Sequence, residues 1–200
     1  MIEINTSYWF HKKRKMMKHI QQLKKICTKC KKCPLHKHKT NCVFGEGNLN
    51  ADIMLIGEAP GKKEDETGRP FQGKAGNILN NLLGIAGINR EDIFITNAVK
   101  CRTPKNRAPY IEEIKCCQDY LRQQIEIIKP KIFLAMGLSA MEAITPNIRY
   151  KLSDIEGEIL KTQYDIGMLV TYHPMNLIYR PNCTEKIIND FKRLKKIITG

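Results

Sequence analysis

The chain has 200 residues, of which 42% are apolar, and this length and composition fit one globular domain of ordinary size. No run of about 18 apolar residues is present and the basic N-terminus lacks an apolar signal core, so we expect no membrane contact, no secretory signal and a cytoplasmic location. The net charge of +14, from 34 basic and 20 acidic side chains, favours a polyanionic partner such as nucleic acid, although a lysine-rich composition alone gives the same excess.

Helical and strand patterns alternate along the chain. Residues 1–26 are predicted to form a basic N-terminal helix or extension, and residues 27–200 a single domain that begins with a cysteine-bearing loop. Strand-like apolar runs cover residues 52–57, 93–99, 132–137 and 168–172, and helical patterns cover residues 76–87, 111–128, a short segment after 138, and 184–198. This alternation predicts an α/β fold with three layers, in which a mostly parallel central sheet of about four strands is flanked by helices.

Basic residues are concentrated between Lys12 and Lys39. Two interpretations remain open for this stretch. It is either a solvated amphipathic helix with a basic face, or a surface that contacts nucleic acid.

The segment from Gly57 to Gly76 reads G-E-A-P-G-K-K-E-D-E-T-G-R-P-F-Q-G-K-A-G and lies between a predicted strand and a predicted helix. Ligands bind at this end of the strands in open α/β sheets, so we expect the segment to form a pocket wall rather than a passive surface loop. It nearly matches a nucleotide-binding phosphate loop. That interpretation fails because Ala75 occupies the position of the required hydroxyl and the strand ends about ten residues too early.

Eight cysteines in a chain expected to be intracellular favour a metal or catalytic role over disulfides. Two close groups from distant segments could together form a four-thiolate cage: Cys27, Cys30 and Cys33 in the N-terminal loop, and Cys101 with the adjacent pair Cys116 and Cys117. The spacing suits either a zinc ion or an iron–sulfur cluster. Cys42 and Cys183 stand apart from these groups, and we expect them to be small buried apolar residues.

Several ordered blocks together resemble the family-4, iron–sulfur uracil-DNA glycosylases of bacteria and archaea. The blocks are V-F-G-E-G-N at 43–48, G-E-A-P-G at 57–61, E-D-x-x-G-R-P-F-x-G-x-A-G at 64–76, I-T-N-A-V-K-C-R at 95–102, N-R-A-P at 106–109, Q-I at 124–125 and H-P at 173–174. The resemblance implies a uracil-DNA glycosylase fold and an enzyme that hydrolyses the N-glycosidic bond of uracil in DNA, leaving an abasic site. It also implies uracil-containing DNA as the partner, a monomer, and a nucleoid location through DNA binding.

The same resemblance implies a [4Fe–4S] cluster with a structural role. Its register selects four ligands: Cys30, Cys33, Cys101 and Cys117. Cys27 is then spare, and Cys116 is one residue out of register. Because Cys116 and Cys117 are adjacent, a cluster held by Cys116 remains the alternative.

The resemblance also implies roles for side chains in the predicted pocket. Phe71 is the face on which the extruded base stacks, and Asn97 recognises uracil through its amide. His173 donates a hydrogen bond near O2 of the departing uracil anion. Glu58 places the attacking water or stabilises the cationic sugar, while Glu64 excludes the methyl group of thymine. The remaining predicted pocket residues are Gly57 and Ala59, the latter standing where relatives carry an aspartate, so the water-activating residue of those relatives has no counterpart here.

The segment that follows the H-P block is expected to enter the DNA, because relatives insert a loop there. Its predicted DNA-binding residues are Leu177, Ile178 and Arg180, with Tyr179 between them. Two other functions remain open from the sequence. The protein could be a non-catalytic nucleic-acid-binding relative that keeps the fold and cluster, or a zinc-stabilised hydrolase of small nucleosides.

Overall fold

A computed structural model describes residues 6–146 and 150–199 of the protein, so residues 1–5 of the predicted N-terminal helix lie outside it. The described residues form one six-stranded sheet with the strand order β1-β3-β2-β4-β6-β5. The strands are β1 (Glu46–Gly47), β2 (Ile53–Gly57), β3 (Phe94–Asn97), β4 (Ile132–Met136), β5 (Ile159–Lys161) and β6 (Gly167–Thr171).

The central strands β3, β2, β4 and β6 are parallel, and they are the four strands predicted from the sequence. The two outer strands were not predicted. Strand β1 pairs antiparallel with β3, and β5 pairs antiparallel with β6. Both outer strands are only two or three residues long and largely exposed, so they carry no apolar run that a sequence pattern could detect. The predicted α/β fold with a mostly parallel sheet is confirmed.

Helices cover both faces of the sheet. They are α1 (Thr6–Thr28), α2 (Lys62–Thr67), α3 (Lys74–Ile85), α4 (Ile111–Ile128), α5 (Leu138–Ile144), α6 (Leu152–Ile155), α7 (Asn176–Tyr179) and α8 (Thr184–Thr199). No helix within the described ranges is both long and apolar enough to cross a membrane.

Successive side chains along each strand point to opposite faces of the sheet, and this alternation creates two apolar cores. Met54 and Ile56 of β2 point toward a cluster that contains residues of α4 and α5. The neighbouring residues Ile53 and Leu55 point to the opposite face, where α3 and α8 pack. The sheet is therefore buried on both sides, and its strand ends are the places where a pocket can open.

The C-terminal half of α1 packs against α4 through a third apolar cluster. Ile20, Leu23 and Cys27 of α1 contribute to it, together with Phe44 and Tyr120. The predicted basic helix is thus anchored to the domain at its C-terminal end, next to the cysteine-bearing loop.

Candidate active site and thiol cavity

A cavity of about 600 Å³ opens at the carboxyl edge of the parallel strands. Each of the four parallel strands contributes a residue at or just beyond its end: Glu58 after β2, Asn97 in β3, Met136 in β4 and His173 after β6. Ligands bind at this edge in open α/β sheets. The cavity also brings together the predicted residues Ala59, Glu64 and Phe71.

Glu64 lies on the cavity wall with its carboxylate fixed by the backbone. Its Oε1 atom accepts hydrogen bonds from the N–H groups of Gln72 and Gly73, each at 2.9 Å, and the residue is 8% exposed. Hydrogen bonds to an ionised acceptor are stronger than those between neutral groups. This contact joins α2 to the start of α3 and holds the intervening loop in one shape.

Phe71 is held in that loop with an unusual backbone conformation. Its φ angle is 52°, which few residues other than glycine adopt, and its side chain is 6% exposed. The ring stacks on His173 with centroids 6.0 Å apart. A Cβ atom at Gly57 would lie 2.8 Å from the Phe71 ring and against Asn97 Oδ1, and one at Gly76 would overlap the Phe71 carbonyl. Gly57, a predicted pocket residue, therefore lies behind the pocket side chains and gives them room.

Asn97 is 2% exposed, and its backbone is held by a buried lysine. Lys100 Nζ donates hydrogen bonds to the Asn97 carbonyl at 2.7 Å, to Thr96 Oγ1 at 2.6 Å and to Gln124 Oε1 at 2.9 Å. Lys100 is only 1% exposed, and burial lowers its pKa to about 8. Lys100 was not among the residues predicted from the sequence. The one sequence feature that could have indicated a buried lysine is its position in the otherwise uncharged run A-V-K-C.

His173 is half-buried and faces both Phe71 and the cavity. Burial lowers the pKa of its imidazole to about 4, and the negative charge of Glu64 only partly offsets this effect. Nδ1 lies 3.3 Å from the backbone N–H of Met175 and accepts from it, which assigns the ring proton to Nε2. The ring is therefore a neutral donor at physiological pH.

Glu58 lies on the same wall with its carboxylate partly accessible. Ser139, in the first turn of α5, donates a hydrogen bond from Oγ to Glu58 Oε2 at 2.9 Å. Ser139 could not be predicted from the sequence, because it follows a different strand and is 81 residues from Glu58 along the chain. Ala59 follows Glu58 on the cavity wall and places no carboxylate there.

The rim of the cavity includes Met175 and Tyr179, which follow the H-P block. Tyr179 is 73% exposed and is the only one of the four side chains at 177–180 that lines the cavity. Leu177 packs partly against the apolar core, whereas Ile178 and Arg180 are exposed outside the cavity. The segment predicted to contact DNA thus presents Tyr179 toward the pocket more directly than Leu177.

A second, smaller cavity lies between the N-terminal loop and α4. Its lining includes Lys100, Tyr120 and the thiols of Cys27, Cys30, Cys33, Cys101, Cys116 and Cys117. Within residues 6–146 and 150–199, no three or more His, Cys, Asp or Glu side chains are grouped to hold a single metal ion. Cys101 and Cys117 are buried, while Cys116 is partly exposed and its thiol donates to the Lys32 carbonyl at 3.4 Å.

Hydrogen bonds also connect the cysteine-bearing loop to α2, which contributes Glu64 to the large cavity. Asp65 of α2 accepts hydrogen bonds from the backbone N–H groups of Thr40 and Asn41 at 2.9–3.1 Å. Cys42 and Cys183 are buried among apolar side chains, as predicted.

Comparison with known proteins identifies the family. The Uracil DNA glycosylase superfamily profile matches residues 44–192. The chain is 42% identical to a type-4 uracil-DNA glycosylase of Pyrobaculum aerophilum over 168 residues, which cover 81% of this chain and 86% of that protein. It is 40% identical to a type-4 uracil-DNA glycosylase of Archaeoglobus fulgidus over 174 residues, or 84% and 87% of the two chains. It is 41% identical to that of Thermotoga maritima over 172 residues, or 85% and 90%. The chain therefore belongs to the uracil-DNA glycosylase superfamily and, within it, to the type-4 uracil-DNA glycosylases.

Proposed function

We propose that this protein excises uracil from DNA by hydrolysing the N-glycosidic bond, and that it leaves an abasic site for base excision repair. One observation carries the proposal. A single cavity at the carboxyl edge of the sheet holds an aromatic face, a carboxamide and a neutral imidazole, contributed by Phe71, Asn97 and His173. A base extruded from DNA needs a stacking surface and hydrogen bonds to its Watson–Crick edge.

Asn97 recognises the base through an amide that both donates and accepts. Its NH₂ group suits the O4 acceptor of uracil, and its carbonyl oxygen suits the N3–H donor. The Lys100 ammonium fixes the backbone from which this amide projects. Glu64 excludes the methyl group of thymine from a position that two backbone N–H groups hold constant.

His173 stabilises the leaving group. Uracil departs as an anion, and a donor that meets the developing charge lowers the barrier because the charge appears only as the bond breaks. The Nε2–H group of a neutral imidazole can serve as this donor without a change of protonation state. Met175 positions it through the hydrogen bond to Nδ1.

Glu58 acts on the other side of the scissile bond. Its carboxylate orients the attacking water or stabilises the cationic sugar, and the hydrogen bond from Ser139 holds it in place. Ser139 is therefore a positioning residue for Glu58.

DNA binding involves the basic surface and the α7 segment. A net charge of +14 favours contact with phosphates. Leu177, Ile178 and Arg180 lie beside the pocket with Tyr179, and the exposure of Tyr179 at the rim supports its insertion where the base leaves the stack.

Cys30, Cys33, Cys101 and Cys117 hold a [4Fe–4S] cluster. The support for this is that all four cysteines line one cavity, and four thiolates are the ligand set that such a cluster would need. Cys117 is favoured over Cys116 because it is the buried member of the pair. When bound, the cluster would serve as a structural cross-link between the N-terminal loop, the segment that follows β3, and α4.

The excision proposal is tested with purified protein on U:G, U:A and T:G duplexes, followed by cleavage of abasic sites. We expect strand cleavage at both uracils and none at thymine. Free deoxyuridine is the control substrate and should remain intact. Absence of cleavage at uracil would indicate a non-catalytic relative, and hydrolysis of free deoxyuridine would indicate a small-molecule hydrolase.

The cluster is tested separately by iron content and visible absorbance. Serine replacement of each proposed ligand should lower the iron content, whereas Cys183→Ser should retain it. Full iron content in Cys117→Ser, with loss in Cys116→Ser, would reverse the assignment between these two neighbours.

A further inference from the structure

Two cysteines outside the proposed ligand set face each other in the interior. The Sγ atoms of Cys27 and Cys42 are 3.3 Å apart, and the residues are 1% and 8% exposed. Cys27 lies in the last turn of α1, and Cys42 lies near the end of the cysteine-bearing loop, before β1. Both belong to the apolar cluster that joins α1 to α4.

The two sulfur atoms are close enough to bond after a small movement. A disulfide has an S–S distance of about 2.0 Å, so the sulfurs, now 3.3 Å apart, need to approach each other by about 1.3 Å. Cys27 also lines the thiol cavity, whereas Cys42 lies outside its lining.

The segment between Cys27 and Cys42 begins in the last turn of α1, and backbone hydrogen bonds hold its other end. Thr40 and Asn41 are bonded to Asp65, and the Val43 N–H donates to the Lys100 carbonyl at 2.8 Å. A bond between the two cysteines would close a covalent ring over residues 27–42. This ring contains Cys30 and Cys33, the two N-terminal ligands of the proposed cluster.

We propose that Cys27 and Cys42 are an oxidisable pair that forms an intramolecular disulfide and thereby locks the cluster-bearing loop onto α1. The disulfide retains the loop geometry independently of the cluster. The segment would then have two cross-links: the proposed cluster and the disulfide between Cys27 and Cys42.

The contact between the two sulfur atoms does not distinguish the two thiols. Either sulfur can donate the hydrogen bond that joins the pair, so either thiol can react first and the other then acts as the resolving thiol.

Hydrogen peroxide is small enough to serve as the oxidant at this buried pair. The thiolate of one cysteine attacks one peroxide oxygen, the O–O bond breaks, and a sulfenic acid and hydroxide form. The sulfur of the other cysteine then displaces the sulfenic hydroxyl and forms the S–S bond. Overall, two thiols lose two electrons and two protons, and one peroxide becomes two waters.

The test uses the full-length, cluster-bearing protein exposed to equimolar hydrogen peroxide, then denatured and alkylated with N-ethylmaleimide. Trypsin cleaves after Lys25, Lys29 and Lys39, which places Cys27 on peptide 26–29 and Cys42 on peptide 40–62. We expect a single cross-linked species of these two peptides that disappears on reduction. Complete alkylation of both peptides, or a bond from Cys42 to Cys30 or Cys33, would overturn the proposal.

Thermal unfolding gives a second readout. Closing a loop of this length should raise the melting temperature of the oxidised protein by about 5–10 °C over the reduced protein. The rise should be absent in Cys42→Ala and retained in Cys183→Ala, which removes a buried cysteine elsewhere. An equal rise in Cys42→Ala would show that oxidation stabilises the protein at another site.

Discussion

The interior of the pocket and its rim are built differently. In the interior, Glu64, Phe71 and Asn97 are 8%, 6% and 2% exposed, and each is held by backbone hydrogen bonds or by close glycine contacts. At the rim, Tyr179 is 73% exposed and sits on a helix of four residues. Base selection requires groups that are positioned before the substrate arrives, because reorganisation during the reaction would raise the barrier. DNA contact needs side chains that can adapt to a distorted duplex.

This contrast predicts that interior substitutions impair chemistry and rim substitutions impair binding. The largest effect is expected for His173→Ala, which removes the donor to the leaving group. Single-turnover excision of uracil should fall about 10²- to 10³-fold, while affinity for DNA changes little. The measurement is the rate at saturating enzyme, together with binding to a duplex that carries a non-hydrolysable uracil analogue.

His19→Ala is the control, because His19 is an exposed histidine on α1. It should leave the single-turnover rate unchanged. A His173→Ala rate within threefold of wild type would remove His173 from the chemical step.

A smaller effect is expected for Tyr179→Ala, which truncates the exposed ring at the rim. Loss of stacking should weaken DNA binding by roughly tenfold, or about 1.4 kcal/mol, while the single-turnover rate at saturation stays near that of wild type. Tyr179→Phe keeps the ring and should bind nearly as well as wild type. A reduced rate at saturating enzyme in Tyr179→Ala would show that Tyr179 acts in the chemical step, as the interior residues do, and not only in DNA binding.

The smallest effect is expected from pH. The pKa of His173 is lowered to about 4 by burial, so the ring stays neutral from pH 8 down to about pH 5 and its donor does not change. Below pH 4, protonation puts a hydrogen on Nδ1, which then faces the N–H of Met175, and activity should fall. In a pH–rate profile, an inflection near the ordinary histidine value of 6.5 that disappears in His173→Gln would contradict this account.

The sequence predicted those parts of the molecule that have strong local patterns. The four parallel strands are continuous apolar runs, and Asn97 and His173 belong to motifs at strand ends, so both could be located before the structure was known. The edge strands β1 and β5 could not, because pairing with a neighbour, rather than their own sequence, defines them.

The contacts that position the pocket side chains could not be predicted from the sequence for a related reason. Lys100 contacts Gln124 across 24 positions and Ser139 contacts Glu58 across 81, and no spacing rule connects such distant residues. The orientation of residues 177–180 also required coordinates. A single helical turn decides that Leu177 packs on the core while Tyr179 faces the cavity.

The substitution Asn97→Asp tests whether the amide of Asn97 selects uracil. An ionised aspartate can only accept hydrogen bonds, so uracil O4 would face a carboxylate, whereas the amino group of cytosine would gain an acceptor. An unpaired buried polar group costs about 1–3 kcal/mol, so uracil excision should fall roughly 10- to 100-fold. Cytosine excision should appear at a lower rate.

The measurement is single-turnover release of base from U:G and C:G duplexes by wild type, Asn97→Asp and Asn50→Asp. Asn50 is an exposed asparagine at the opposite edge of the sheet and carries the same chemical change as the control. We expect loss of uracil excision and gain of cytosine excision in Asn97→Asp alone. Wild-type uracil excision by Asn97→Asp, with no cytosine released, would show that another residue recognises the base.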